Sequence, residues 1–299
     1  MKDANAAALP IAQARSSRAS DYVALTKPRL NGLVVATSAA GYYLGAPAPI
    51  NALALAAAVA GTALVAGGAA VLNQVAERDT DALMRRTRLR PLPDGRIASA
   101  EATAFGVVLS ASGLALLAAR VNVGAALLAA ATLVIYLIVY TPLKRRSPLA
   151  TLVGAVPGAL PALIGWTASR GAMSAGGLAL FAIVFVWQIP HFMAIAWLYR
   201  DDYGKAGFPL LPVVEPDGRR TGRQALIYAA ALLPVSLSPA LLGVTTAAFG
   251  AIALALGVVF VALAARFART RSDGAARGLF FGSIVYLPLL WAAMIATKL

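Results

Sequence analysis

Residues 50–81 read INALALAAAVAGTALVAGGAAVLNQVAERDTD. No charged side chain occurs from Ile50 to Ala76, and a helix of that length crosses a hydrocarbon layer of ~30 Å. The run then gains polar groups abruptly at Asn73, Glu77 and Asp81, with Arg85, Arg86, Arg88 and Arg90 close behind. On a helix, positions four apart fall within about 40° of one another per step, so Asn73, Glu77 and Asp81 share a face while Asp79 points elsewhere. Oxygen ligands beside guanidinium groups at a membrane edge suit a hard divalent ion together with phosphate.

The rest of the chain repeats the apolar pattern. Its 299 residues are 60% apolar and 13% charged, with a mean hydropathy of +0.76. That composition defines an all-α polytopic membrane protein. Nine runs are long enough to span: 30–48, 50–76, 102–119, 121–140, 149–168, 175–198, 225–242, 244–265 and 279–295. Lysines and arginines alternate with them. Loops on one side hold 23 of the 26, and the other side keeps only Arg120, Arg170 and Lys298. The positive-inside rule therefore predicts a cytoplasmic N-terminus and an outward C-terminus.

The net charge of +14 belongs to these juxtamembrane loops and to anionic lipid, which argues against nucleic acid as a partner and for the lipid bilayer. With no cysteine in the chain, disulfides and thiolate metal sites are excluded. Residues 1–21 lack the apolar core of a signal peptide and read as a mobile cytosolic tail. No loop is long enough to fold alone, so residues 22–299 form a single integral domain. Two polar loops, 77–101 and 199–223, lie four spans apart, which predicts two pseudo-repeated four-helix halves plus a last helix. Pro157, Pro161, Pro190, Pro234, Pro239 and Pro288 interrupt spans and open room for a central cavity.

A mid-membrane carboxylate costs ~2.5–3.5 kcal/mol even on the lenient insertion scale, so Glu77 and Asp81 are expected to face a polar cavity or the interface. Mg2+ takes one or two carboxylates and completes its shell with water and substrate phosphate. Asn73, Glu77 and Asp81 supply such a partial shell, and an interfacial salt-bridge ladder is the alternative. Arg78 and Asp79, on another face, are expected to make ordinary interfacial pairs or to contact lipid headgroups. The second loop, Tyr199 to Pro212, offers Asp202 to a second metal side and Lys205 to phosphate, or else simply ends a helix in a turn. His191, the single histidine, follows Pro190. If the helix stays regular, it shares an azimuth with Asp202 and looks into the cavity. There it can ligate a porphyrin iron, shuttle a proton or bond a carbonyl freed by the proline.

At this point the chain resembles the UbiA superfamily of intramembrane prenyltransferases, and within it the heme-farnesylating branch. The resemblance runs from Thr26-Lys27-Pro28-Arg29 to the ninth span. It rests on Asn73-x3-Glu77-x3-Asp81, on Met84-x-Arg86-Thr87-x2-Arg90-Pro91-Leu92, on Pro190-His191-Phe192, and on Asp202-Tyr203-x2-Ala206-Gly207-Phe208-Pro209-Leu210-Leu211-Pro212. The superfamily's usual first motif is NDxxDxxxD, so Gln74 and Glu77 replace two aspartates. The second motif is reduced to Asp201-Asp202.

The resemblance implies a nine-helix ring around a cavity in the bacterial inner membrane. It also implies Mg2+-dependent transfer of farnesyl from farnesyl diphosphate to a vinyl group of heme B, with a downstream heme A synthase as partner. Asn73, Glu77, Asp81 and Asp202 would then bind metal and diphosphate. Lys27, Arg29, Arg86, Arg90, Tyr199, Tyr203 and Lys205 would bind substrate, and His191 would act near heme. An aromatic acceptor keeps the donor chemistry and changes the acceptor. A transporter is the competing class, weakened by polar groups that gather at one face of the membrane rather than at its midplane.

Overall fold

The computed structural model describes residues 17–299, and every regular element among them is helical. A short helix, α1 (Arg18–Leu25), precedes nine long ones: α2 (Pro28–Gly45), α3 (Ala52–Ala76), α4 (Ser99–Arg120), α5 (Val123–Leu143), α6 (Ala150–Arg170), α7 (Ala175–Leu198), α8 (Arg219–Leu241), α9 (Ala247–Thr270) and α10 (Asp273–Ala296). Eight of these, α3 to α10, are long and apolar enough to cross a membrane. The 18 residues of α2 include Pro28, Arg29 and Asn31 at their start, and this helix falls outside that set.

Polar side chains start several helices. Asn51, Asn122 and Ser272 accept from backbone N–H groups at the beginnings of α3, α5 and α10, occupying donors that have no partner within the helix. Gly171 closes α6 at φ 76°, a left-handed position that glycine adopts without penalty.

Successive long helices pack on one another, and α2 crosses α6 while α10 returns to α7 and α2. The α2–α6 crossing is unusually close. A Cβ on Gly165 would lie 1.8 Å from the Ser38 carbonyl oxygen, and one on Gly41 would lie 2.2 Å from that of Ala162. Small residues let membrane helices approach in this way. Between Ala150 and Ala168 of α6, and between Ala179 and Leu198 of α7, no residue is exposed, so these two helices form the interior. α4 and α9 instead turn Val107, Val108, Val258 and Val259 outward, as a lipid-facing helix does.

Three departures from expectation affect the site. Residues 1–16 of the expected tail lie outside the described residues, but Ser17 caps α1 and Arg18–Asp21 are helical. Buried Asp21 pairs with Arg96, and Glu101 receives Arg18 at 2.5 Å and the Tyr22 hydroxyl, so α1 is strapped to the 77–101 loop. The fourth span widens into a π-helical stretch at Ile135–Tyr140 and runs on to Leu143. Finally, α7 stops at Leu198, where Tyr199 leaves helical geometry at φ −113° and ψ 22°, and short helices follow at Arg200–Lys205 and Leu211–Val214.

Candidate active site at the polar end of the bundle

The end of α3 carries the site. Glu77 departs from ideal helix at φ −101° and ψ 7°, yet the i to i−4 bonds persist: Glu77 N donates to Asn73 O at 2.9 Å and Asp81 N to Glu77 O at 2.7 Å. The stripe therefore survives the break. Asn73, Glu77 and Asp81 are 3%, 4% and 1% exposed, so none of them faces acyl chains.

Each of the three is oriented by a different neighbour. The Thr141 hydroxyl donates to Tyr136 O at 2.8 Å and so must accept from Asn73 Nδ2 at 3.1 Å, which turns Asn73 Oδ1 toward the Tyr136 hydroxyl at 3.3 Å. Lys144 Nζ donates to both carboxylate oxygens of Glu77, at 3.1 and 3.3 Å, and sits 4.4 Å from the centre of the Phe208 ring. Arg90 donates to Asp81 Oδ2 at 2.7 Å, and the Thr87 hydroxyl to the Asp81 carbonyl at 2.7 Å. Buried carboxylates require such partners, because an unpaired ion in low dielectric is strongly disfavoured.

Lys27 joins them from the link between α1 and α2, at φ 49°. Half-buried, it has its pKa lowered to about 8, by burial first and then by repulsion from Arg90, against the opposing pull of Glu77 and Asp81. Arg86 ties the two polar loops together. It donates to the Tyr203 hydroxyl at 2.9 Å and lies over the rings of Tyr203 and Tyr199, at 5.2 and 5.3 Å. Beneath that bridge Met84 packs with Ala196, Tyr203, Phe208 and Leu210.

Other expected members stand apart. Asp202 is half-buried, Arg29 and Lys205 are exposed, and none has an ion pair or hydrogen bond to the cluster among the described residues. Nor does any group of three acidic or histidine side chains there converge as a ready metal site. For Asp202 and Lys205 the break at Tyr199 matters, since both ride on the separate short helix Arg200–Lys205 that follows it. Arg78 and Asp79 do pair with each other in the open, at 2.8 Å.

The same break removes the shared azimuth of His191 and Asp202. His191 packs against α10 instead, stacked between Trp187 at 5.1 Å and Phe280 at 5.2 Å, with Nδ1 2.7 Å from Ser283 Oγ. Ser283 already donates to the Phe280 carbonyl at 2.5 Å. It therefore accepts from His191 Nδ1–H, and Nε2 keeps its lone pair.

Sequence reasoning missed Lys144, Thr141 and Tyr136. A signal was present: Tyr136, Tyr140 and Lys144 recur every four residues, matching the spacing of Asn73, Glu77 and Asp81.

Asn73, Glu77 and Asp81 fit a hard cation as a donor set of one amide and two carboxylate oxygens. A membrane bundle that buries these oxygens among cations at one end, with two loops folded over them, has the makings of an intramembrane prenyl-diphosphate enzyme. The chain belongs to the UbiA prenyltransferase family, whose sequence pattern matches residues 34–291. It is 45% identical over 287 residues to the protoheme IX farnesyltransferase of Solibacter usitatus, covering 93% of this chain and 98% of the relative. Identity to the protein of that name from Opitutus terrae is 47% over 287 residues, covering 96% and 97%. In fold it is similar to a solved structure described as digeranylgeranylglyceryl phosphate synthase, with a TM-score of 0.80, 17% identity and coverage of 93% and 98%. A UbiA homolog from Archaeoglobus fulgidus, solved with GPP and Mg2+, gives a TM-score of 0.67 at 18% identity, covering 92% and 99%.

Proposed function

We propose that the chain transfers a farnesyl group from farnesyl diphosphate to a vinyl group of heme B, giving heme O, in the bacterial inner membrane with its N-terminus in the cytoplasm. The observation that carries this reading is the buried Asn73–Glu77–Asp81 stripe with Lys144 and Arg90 on its carboxylates. Relatives of similar length that bear the heme-farnesylating name support the acceptor.

Asn73, Glu77 and Asp81 would hold Mg2+, which when bound neutralises charge on the departing diphosphate. Lys27, Lys144, Arg90 and Arg86 meet the phosphate oxygens as donors that cannot accept, so charge growing on the leaving oxygen is stabilised where it appears. With that charge held, the allylic C–O bond ionises. The Tyr136 and Tyr140 rings, stacked at 5.4 Å beside the stripe, present π faces to a carbocation. Burial keeps water from capturing it early. The terminal vinyl carbon of the acceptor attacks the cation, which moves the positive charge to the neighbouring vinyl carbon; water adds there and gives up a proton, leaving a hydroxyl.

His191 lies eight residues before Tyr199, about 12 Å deeper along the helix axis. Its Nε2, left with a free lone pair, would be the atom to hold the acceptor's iron, with Ser283 fixing the tautomer through Nδ1. The product passes to a downstream heme A synthase.

Glu77→Gln and Asp81→Asn, each close to isosteric, are expected to lower turnover by about a hundredfold or more while the protein stays folded in membranes. Mass analysis of porphyrins extracted after incubation with heme B, farnesyl diphosphate and Mg2+ reads the outcome, and near-wild-type product would refute the metal role. For the acceptor, heme added to purified protein should give an absorption band that shifts or disappears in His191→Ala. An unchanged band removes the histidine from the heme site.

A further inference from the structure

Arg170 and Lys298 are two of only three basic residues on the side of the membrane away from the site, a side where positive charge is otherwise avoided. Both line one cavity of about 720 Å³, at the ends of α2, α6, α8 and α10, with Leu44, Ile50, Val244 and Ile295 among its apolar walls. The Arg170 guanidinium lies 5.5 Å from the centre of the Trp166 ring. Lys298 Nζ lies 4.7 Å from that of Tyr43 and donates to the Tyr43 and Ala46 carbonyls, at 2.6 Å each.

Those two carbonyl bonds explain part of the lysine: it fastens the chain's last residues to the end of α2, where helix carbonyls lack partners. They leave one of three ammonium donors over. Arg170 makes no hydrogen bond to the protein, and neither cation meets a carboxylate within ion-pair distance among the described residues. Burial, and then repulsion from Arg170, lower the pKa of Lys298, so the two like charges feel each other across the mouth. Two cations that line one cavity, neither in ion-pair contact with a carboxylate, form a receptor for an anion, and the guanidinium fork matches phosphate geometry.

We propose that this cavity binds an anionic phospholipid, its phosphate gripped by Arg170 and Lys298 and its acyl chains leaving along the apolar wall. Two features favour lipid over a soluble anion. Leu44, Ile50, Val244 and Ile295 form an apolar strip of the lining beside its polar groups, and Leu242 and Leu299, 47% and 70% exposed, belong to the same lining. Carboxylates of a porphyrin held at His191 are too distant. Ala175 lines the cavity, and 16 residues of α7 separate it from His191, about 24 Å of helix. The site is thus separate from the one that performs transfer.

The test uses the full chain in nanodiscs and native mass spectrometry. Wild type should retain a phosphatidylglycerol about tenfold more readily than phosphatidylcholine, and phosphatidylglycerol should raise its melting temperature. Arg170→Gln should lose both effects while melting like wild type in phosphatidylcholine alone. Arg277→Gln, at the opposite end of the bundle, should keep both. Leu242→Glu supplies a competing carboxylate from an exposed lining position without touching either cation, and should abolish the preference even if Arg170→Gln folds poorly. Equal retention of phosphatidylglycerol by Arg170→Gln and Leu242→Glu would overturn the proposal. So would displacement of the lipid by millimolar inorganic phosphate, which would make the occupant a soluble anion.

Discussion

Lys27 gives the site a pH dependence that the arginines around it cannot. Free of ligand it titrates at about 8, and a bound diphosphate stabilises its charged form. Diphosphate binding above that pH must therefore take up a proton. KM for the prenyl diphosphate is expected to rise by up to about tenfold per pH unit above 8 in wild type and to stay flat in Lys27→Arg, because arginine remains charged there. Initial rates between pH 7 and 9.5 check this, and the same slope in both proteins removes Lys27 from the diphosphate. The lowered pKa has a second consequence. Between about 8 and the ordinary 10.5 the unfolded chain binds more protons than the folded one, so this residue makes the fold gain stability as pH rises through that window. The first half of this site was legible in sequence, because Asn73, Glu77 and Asp81 are linked by local helix geometry. Lys144 was not. It comes from 67 residues further on, and a lysine followed by Arg145 and Arg146 in a short cytoplasmic loop looks like any other inside-positive charge.

At the scale of the element, apolar length read the helices well. The run predicted at 175–198 coincides with α7, and those before it match their helices within a turn, whereas α8, α9 and α10 each run five or six residues further at their charged ends than apolar length alone predicts. What composition did not reveal are local changes of helical pitch. The π-helical stretch of α5 turns Tyr136 and Thr141 onto Asn73, and the unwinding at Tyr199 takes Asp202 and His191 off a common face. Both depend on tertiary contacts that a periodicity of 3.6 ignores. The α2–α6 crossing tests the packing argument directly. Gly165→Ala drives a Cβ into the Ser38 carbonyl, backbone that cannot rotate away, and is expected to cost about 1–3 kcal/mol. Gly278→Ala in α10 meets nothing within 4 Å and should be neutral or slightly stabilising. Thermal unfolding of the two variants side by side decides it. Equal melting temperatures would mean that the two helices do not approach so closely.

For the whole molecule, the distribution of lysine and arginine gives an orientation that labelling can measure, since the chain has no cysteine of its own. A membrane-impermeant maleimide added to intact cells should modify Ala172→Cys, which is exposed beyond α6. It should leave Arg88→Cys, exposed in the 77–101 loop, unmodified until the cells are broken. The reverse pattern would invert the topology. Fold class and the grouping of polar residues at one end were legible because hydropathy and charge are sums over many residues. Closure of the far end of the bundle was not, since it depends on partners far apart in the sequence. Lys298 reaches back across 255 and 252 residues to Tyr43 and Ala46. A ribosome adding 5–20 residues per second needs roughly a quarter of a minute to a minute to cover that stretch. Throughout that interval the last carbonyls of α2 wait for their donor, and the far mouth of the bundle stays unsealed. Assembly in the cell thus contains a built-in delay, because the end of α2 is sealed by a side chain that the ribosome reaches 252 residues or more later.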